Sequence, residues 1–133
     1  AVIPLFVNAV LVNEPPTING DGEHSRDFTF VANAVQANTL ALFTQNPEAI
    51  NQVYNIACGE QTTLNEVFQM IKGIAGSDLA PKYGTERRGD VKHSLADITK
   101  AKPRLGYLPT ISVAEGLKPT FEYYRQYSKF AYS

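Results

Sequence analysis

Thr63-Leu64-Asn65-Glu66, followed by apolar residues at Leu64, Val67, Phe68, Ile71 and Ile74, restricts the fold of this chain more than any other feature. Threonine three residues ahead of glutamate forms a capping box. The hydroxyl accepts an orphan helix amide while the carboxylate reaches back to the threonine amide. Spacings of three and four place the apolar residues on one helical face, and Gly76 is a stop. Such a helix needs a partner layer. Ser112-Val113-Ala114-Glu115 repeats the box and opens a last helix from about Val113 to Tyr127. Pro119 lies inside that helix and predicts a kink, because proline removes one backbone bond and collides with the carbonyl four residues back.

The rest of the chain is broken into short pieces. Val2 to Val12 reads as a short helix after Pro4, ended by Glu14-Pro15-Pro16. Thr17-Ile18-Asn19 reads as a strand, Gly20-Asp21-Gly22 as a turn, and Arg26 to Val31 as a second strand. A helix follows, with Val31, Ala34, Val35, Asn38 and Leu42 on one face, and Asn46-Pro47 ends it. Val53 to Ala57 is a short apolar strand, Gly59-Glu60 a turn, and Lys82-Tyr83 another short strand. Asp97 is a candidate cap for a short helix through Lys102, with Pro103 as its interruption. The tail from Ser128 to Ser133 is expected to fray. Small strands mixed with helices give an α/β satellite domain, without the regular βαβ series of a complete doubly wound sheet.

The gross numbers exclude several function classes. The chain has 133 residues, 44% hydrophobic, which suits one domain with a modest core. Twelve basic and 13 acidic residues give a formal charge of −1, so neither nucleic acid nor an anionic membrane is a partner by charge. No stretch reaches the ~18 to 20 apolar residues that span a bilayer. The single cysteine, Cys58, forms no internal disulfide and fits a reducing, cytoplasmic setting as a buried structural thiol. Ala1 to Phe6 begins mid-pattern without a methionine, which reads as a fragment or a processed chain. His24 and His93 have no nearby cysteine or second histidine; they read as surface or turn residues rather than metal ligands.

Two segments carry candidate chemistry: Gly20-Asp21-Gly22-Glu23-His24-Ser25-Arg26-Asp27-Phe28 and Arg87-Arg88-Gly89-Asp90-Val91. Each sets arginine beside turn-forming residues and an acid. Arginine presents a rigid fork to phosphate oxygens, and two forks from separate loops would converge on one diphosphate. From composition alone, ordinary surface charges and turns are the simpler reading.

The ordered motifs change that balance. Gly20-Asp21-Gly22-x-x-x-Arg26-Asp27-Phe28-Thr29-x-Val31 resembles the G-D-G-x-x-x-R-D-F/Y-x-x-V signature of the extended short-chain dehydrogenase/reductase family. Arg87 to Asp90 resembles its R-x-G-D, Ser94 to Ala101 its S-x-A-D-x-x-K-A, and Leu105-Gly106-Tyr107-x-Pro109 its L-G-Y-x-P. Tyr54-Asn55-Ile56-Ala57, Thr63 to Glu66 and Glu115-Gly116-Leu117 match further segments in the family's order, over nearly the whole chain. Val2-Ile3-Pro4 and the run from Val31 to Asn38 are most similar to the UDP-N-acetylglucosamine 4-epimerase branch.

The resemblance implies a small mixed α/β substrate-binding domain without its Rossmann domain. Arg26 and Arg87 would hold a UDP diphosphate, and Asp90 would bond a ribose hydroxyl. Thr17 and Asn19 would line the uracil pocket, with Val2 near the uracil or sugar. Nothing is carried onto Arg88, and Ala32 departs from the acid frequent in the family's V-D-N.

In relatives the glycine-rich NAD loop, the catalytic serine or threonine and the Y-x-x-x-K pair lie upstream, and none occurs here. NAD would therefore serve the parent protein, and this chain would bind no cofactor or metal and supply no catalytic residue. The implied parent is an isomerase, a UDP-sugar 4-epimerase. A UDP-glucuronate decarboxylase or a sugar-nucleotide dehydratase stays open, as do a non-enzymatic nucleotide-binding module and a plain interaction domain. Partners would be a UDP-sugar and the Rossmann domain, and the parent's homodimer forms through the Rossmann half. A face normally packed on that domain would be exposed, with Leu5, Phe6, Val10 and Leu11 as its candidates.

Overall fold

The computed structural model describes residues 1–127; the expected fraying of 128–133 lies outside the described residues. Thr63 caps helix α3 (Leu64–Ala75), its hydroxyl accepting the Glu66 amide at 3.1 Å while Glu66 accepts the Thr63 amide at 2.7 Å. Val67, Phe68 and Ile71 of the apolar stripe are fully buried, and Gly76 ends the helix in the left-handed region. The partner layer is α1 (Val2–Val12) and α5 (Val113–Tyr127). Phe6 of α1 meets Phe68 edge-on, with ring centroids 5.2 Å apart, and Leu117 and Phe121 of α5 complete this cluster. Each such side chain contributes about 1.5–3 kcal/mol by leaving water.

Strand β1 (Thr17–Asn19) pairs in parallel with β4 (Lys82–Gly84), and β2 (Ser25–Arg26) pairs antiparallel with β3 (Thr62–Thr63). Ile18 is sunk into the core from β1, leaving Thr17 and Asn19 on the outer face. A second, smaller cluster joins α2 (Val31–Phe43) to α4 (Ala101–Leu105) through Ala37, Ala57, Ile98, Ala101, Leu105 and Tyr107. The result is the expected mixed α/β architecture.

Five expectations need correction. Of the predicted Arg26–Val31 strand only Arg26 enters a ladder, together with Ser25 before it. Beyond them Asp27 turns its carboxylate to other amides, Phe28 packs on the first cluster, and Phe30 lies over Gly116. The Val53–Ala57 segment has no ladder partner among the described residues and forms no strand; Val53 is 85% exposed. Asp97 caps no helix. It accepts the amide and hydroxyl of Thr99 at 2.9 and 2.6 Å in a turn before α4. Pro103 interrupts nothing, because it sits in the first turn of α4, where an amide has no helical partner anyway. Cys58 is half-buried rather than buried. The last helix does run from Val113 to Tyr127, as one element that contains Pro119.

The exposed apolar face is also placed differently. Phe6 and Val10 belong to the core, and Leu11 packs partly against it, so of the four candidates only Leu5 is open. The outward stripe lies on α2 instead. Val31, Val35 and Leu42 are 66, 57 and 76% exposed, while α2 buries Asn33 and Ala37.

Gly22 (φ 80°) leaves room for Asn65: a Cβ at position 22 would stand 2.0 Å from the Asn65 Oδ1. Gly22→Ala is expected to lower stability by about 1–3 kcal/mol, read by denaturant titration. The α2 stripe is the expected face of self-association in the isolated chain. Val35→Glu with Leu42→Lys should reduce the sedimenting mass at high concentration. An unchanged profile would remove α2 from that role.

Candidate nucleotide-binding cavity

The site is built by joining the two small ladders. β1 and β4 run in register, Thr17 beside Lys82 and Asn19 beside Gly84, and the Gly20 amide donates to the Gly84 carbonyl at 3.0 Å. After Gly84 the chain arches outward. It returns at Lys92, whose carbonyl accepts the Ser25 amide at 2.9 Å, and Ser94 donates back to Ser25 at 3.1 Å. The arch is therefore tied to β1 at one end and to β2 at the other. Within it, the Asp90 amide donates to the Arg87 carbonyl at 3.2 Å, and Gly89 takes φ 90°. That tight turn brings Arg87 and Asp90 to the same side.

A cavity of about 310 Å³ opens beneath the arch, and Val2, Thr17, Asn19, Arg26, Arg87 and Asp90 all line it. Leu5, Phe6 and Leu64 supply its apolar wall. Arg26 is half-buried, and its Nη1 donates to the Ser25 carbonyl at 2.7 Å and to the Lys92 carbonyl at 3.3 Å. Two carbonyls thus orient the guanidinium while its other N–H groups remain available. Arg87 is exposed and forms no ion pair among the described residues. An apolar wall opposite two arginine forks and a carboxylate suits a ligand with a flat apolar part, hydroxyls and an anionic group.

His24 was missed in the sequence. It is 6% exposed, not a surface residue, and it walls both this cavity and a neighbouring polar one of about 360 Å³. Its burial follows from the pairing of Ser25 on one side with Thr63 and on the other with His93, which only the fold reveals. His93 itself is exposed and bonds Ser25 Oγ through Nδ1 at 2.9 Å.

Other charged groups near the motif are already engaged. Asp27 accepts the Cys58 amide on one oxygen and the Gly59 amide on the other, both at 2.9 Å, so it is a tie between segments. Burial, then the Asp27 carboxylate, pushes the Cys58 thiol above its ordinary pKa, which suits a resting thiol and not a nucleophile. The amide of Glu23 holds the Asp21 carboxyl below the usual carboxylate range. A larger open concavity of about 770 Å³ between α1 and α5 holds none of the six candidate binding residues, and its Glu122 and Arg125 pair with each other at 2.7 Å. Among the described residues no group of three or more His, Cys, Asp or Glu is placed to hold a metal, and no helix is long and apolar enough to cross a membrane.

Residues 1–120 match the family described as GDP-mannose 4,6 dehydratase. The chain belongs to that family. Its fold superposes on solved members. It is 43% identical to the UDP-glucose 4-epimerase of Thermotoga maritima with UDP-glucose, at a TM-score of 0.86, covering 95% of this chain and 40% of that one. It is 39% identical to the UDP-N-acetylglucosamine 4-epimerase of Methanobrevibacter ruminantium M1 in complex with UDP-N-acetylmuramic acid (TM-score 0.86; 95% and 39% covered). A third is the UDP-glucuronic acid 4-epimerase of Bacillus cereus in complex with UDP-glucuronic acid and NAD (31% identical; TM-score 0.87; 95% and 40% covered). The chain spans 36 to 40% of the length of curated relatives as well.

In this family member the acid of the Arg26-Asp27 pair acts within the fold. Asp27→Ala would leave two amides without their acceptor and is expected to cost about 2 kcal/mol in thermal or denaturant unfolding. Full stability in this variant would show that water replaces the carboxylate.

Proposed function

We propose that this chain is the nucleotide-gripping part of a cytoplasmic NAD-dependent UDP-sugar 4-epimerase, an isomerase. The observation that carries the reading is the convergence of Val2, Thr17, Asn19, Arg26, Arg87 and Asp90 on one cavity of about 310 Å³. In this reading Arg26 and Arg87 hold the diphosphate from two sides. Asp90 accepts a hydrogen bond from a ribose hydroxyl. Thr17, Asn19 and Val2 flank the uracil. Arg26, steadied by two carbonyls, approaches the phosphate with little ordering cost, and Arg87 follows from the arch. Holding the nucleotide while leaving the sugar free would let either face of the sugar be presented to the redox centre.

The residues present do not fit NAD. The Gly20-Asp21-Gly22 turn leads into strand β2 rather than a helix, and the side chain of Asn65 fills the space beside Gly22. NAD would supply the hydride chemistry from elsewhere in the protein, and the chain alone is expected to be inactive. The 4-epimerase reading is preferred over a decarboxylase or dehydratase because three solved neighbours at 31 to 43% identity carry epimerase names.

Calorimetry with UDP on the intact protein tests the reading. Arg26→Ala and Arg87→Ala should each cost roughly 1.5–3 kcal/mol, about tenfold to more than a hundredfold in affinity, with the fold unchanged. Unchanged affinity in both would make the arginines surface charges and return the chain to the class of interaction domains.

A further inference from the structure

The arch that carries Arg87 and Asp90 is exposed along its length from Gly84 to Val91, and backbone bonds tie it only at its ends. One side chain anchors its middle. Glu86, immediately before Arg87, presents Oε1 to His24 Nε2 at 3.3 Å and to Lys92 Nζ at 3.4 Å. The two partners differ. The Lys92 side chain is 66% exposed, and such a surface pair contributes little. The His24 side chain is 7% exposed, and the Leu64 amide holds its backbone carbonyl at 3.0 Å just before β2, so a buried ring faces the Glu86 carboxylate, which accepts its N–H. The pair packs beside the Gly20 turn, where a Cβ would meet His24 Cε1 at 3.7 Å and Glu86 Cβ at 3.8 Å, ordinary contact distances.

We infer that the His24–Glu86 contact is a clasp that positions Arg87 over the cavity. Glu86 is a positioning residue; it touches no ligand in this arrangement and acts through the guanidinium beside it. The inference rests on the proposed placement of Arg87 on a diphosphate. Charge alone predicts the opposite sign for its removal, since deleting a carboxylate near an anion site would strengthen anion binding. Weakened binding would therefore report lost positioning.

The test uses the intact protein, with UDP and uridine as calorimetric probes. Glu86→Ala is expected to weaken UDP roughly two- to tenfold, the cost of ordering a freed side chain and loop, and to leave uridine unchanged. In an Arg87→Ala background the same substitution should have no further effect. Glu86→Gln, which keeps an oxygen acceptor for the His24 N–H, should bind UDP at least as tightly as the wild type does. Equal losses for UDP and uridine, additivity with Arg87→Ala, or a Glu86→Gln variant as weak as Glu86→Ala would overturn the clasp. Unchanged UDP affinity in Glu86→Ala, with Arg26→Ala and Arg87→Ala still weak, would remove the clasp and leave the diphosphate reading standing. No effect of Arg87→Ala would remove both.

Discussion

The close approach of Asn65 to Gly22 is the contact on which the site depends. Asn65 is the second residue of α3, and its amide donates to the Gly22 carbonyl at 3.1 Å. Its side-chain Nδ2 donates to the Asp21 carbonyl at 3.0 Å and to the Glu23 carboxylate at 2.6 Å, while Oδ1 accepts the Tyr83 hydroxyl at 3.0 Å. One residue therefore fastens the loop before β2, the start of α3 and the strand β4. Only a residue without Cβ leaves room for the Asn65 side chain at this point. With that loop fixed, Leu64 donates to the His24 carbonyl and β2 falls into line with β3. Arg26 inherits its position from this chain of backbone bonds, and the arch inherits its position from β2 and β4.

The energetic division follows from the same layout. The α1–α3–α5 cluster contains large side chains and carries most of the apolar burial. The cavity is set on its edge, where the first turns of α1 and α3 present Val2, Leu5 and Leu64 beside the polar groups of β1, β2 and the arch. A rigid apolar layer thus holds one wall, and the charged wall rides on a loop. That is the usual division between scaffold and recognition.

What was legible in the sequence was local or motif-borne. Capping boxes at Thr63 and Ser112 are self-contained chemistry, and both formed, Glu115 accepting the Ser112 amide at 2.9 Å. The six residues brought together in the cavity could be named because an ordered set of motifs resembled a family; spacing alone would not have joined Val2 to Asp90. The misses share a cause. Val53 to Ala57 reads as a strand by composition, but a strand exists only with a partner, and Tyr54 and Asn55 instead spend their side chains on the Ala49 and Asp97 carbonyls. His24 looked like a turn residue because its burial comes from ladders on both sides of Ser25. Periodicity in α2 identified a stripe correctly, yet could not say which side of the helix faces inward.

That last failure has a physical basis in Asn33. Its side chain is fully buried, Oδ1 accepting the Thr110 and Ile111 amides at 3.0 and 3.2 Å and Nδ2 donating to the Ile111 carbonyl at 2.8 Å. The inner face of α2 is otherwise small, with Ala37 packed among Ala57, Ala101 and Tyr107. Alanines bury little area, so hydrophobic burial alone would turn the helix over and hide Val35 and Leu42. Three hydrogen bonds, each costly to leave unmade once the groups are buried, hold it the other way. A polar residue thus outweighs the apolar stripe in setting the helix's rotation, and the stripe remains available at the surface. Hydrophobic periodicity ranks faces by transfer free energy. It gives the wrong answer wherever one satisfied amide decides the face.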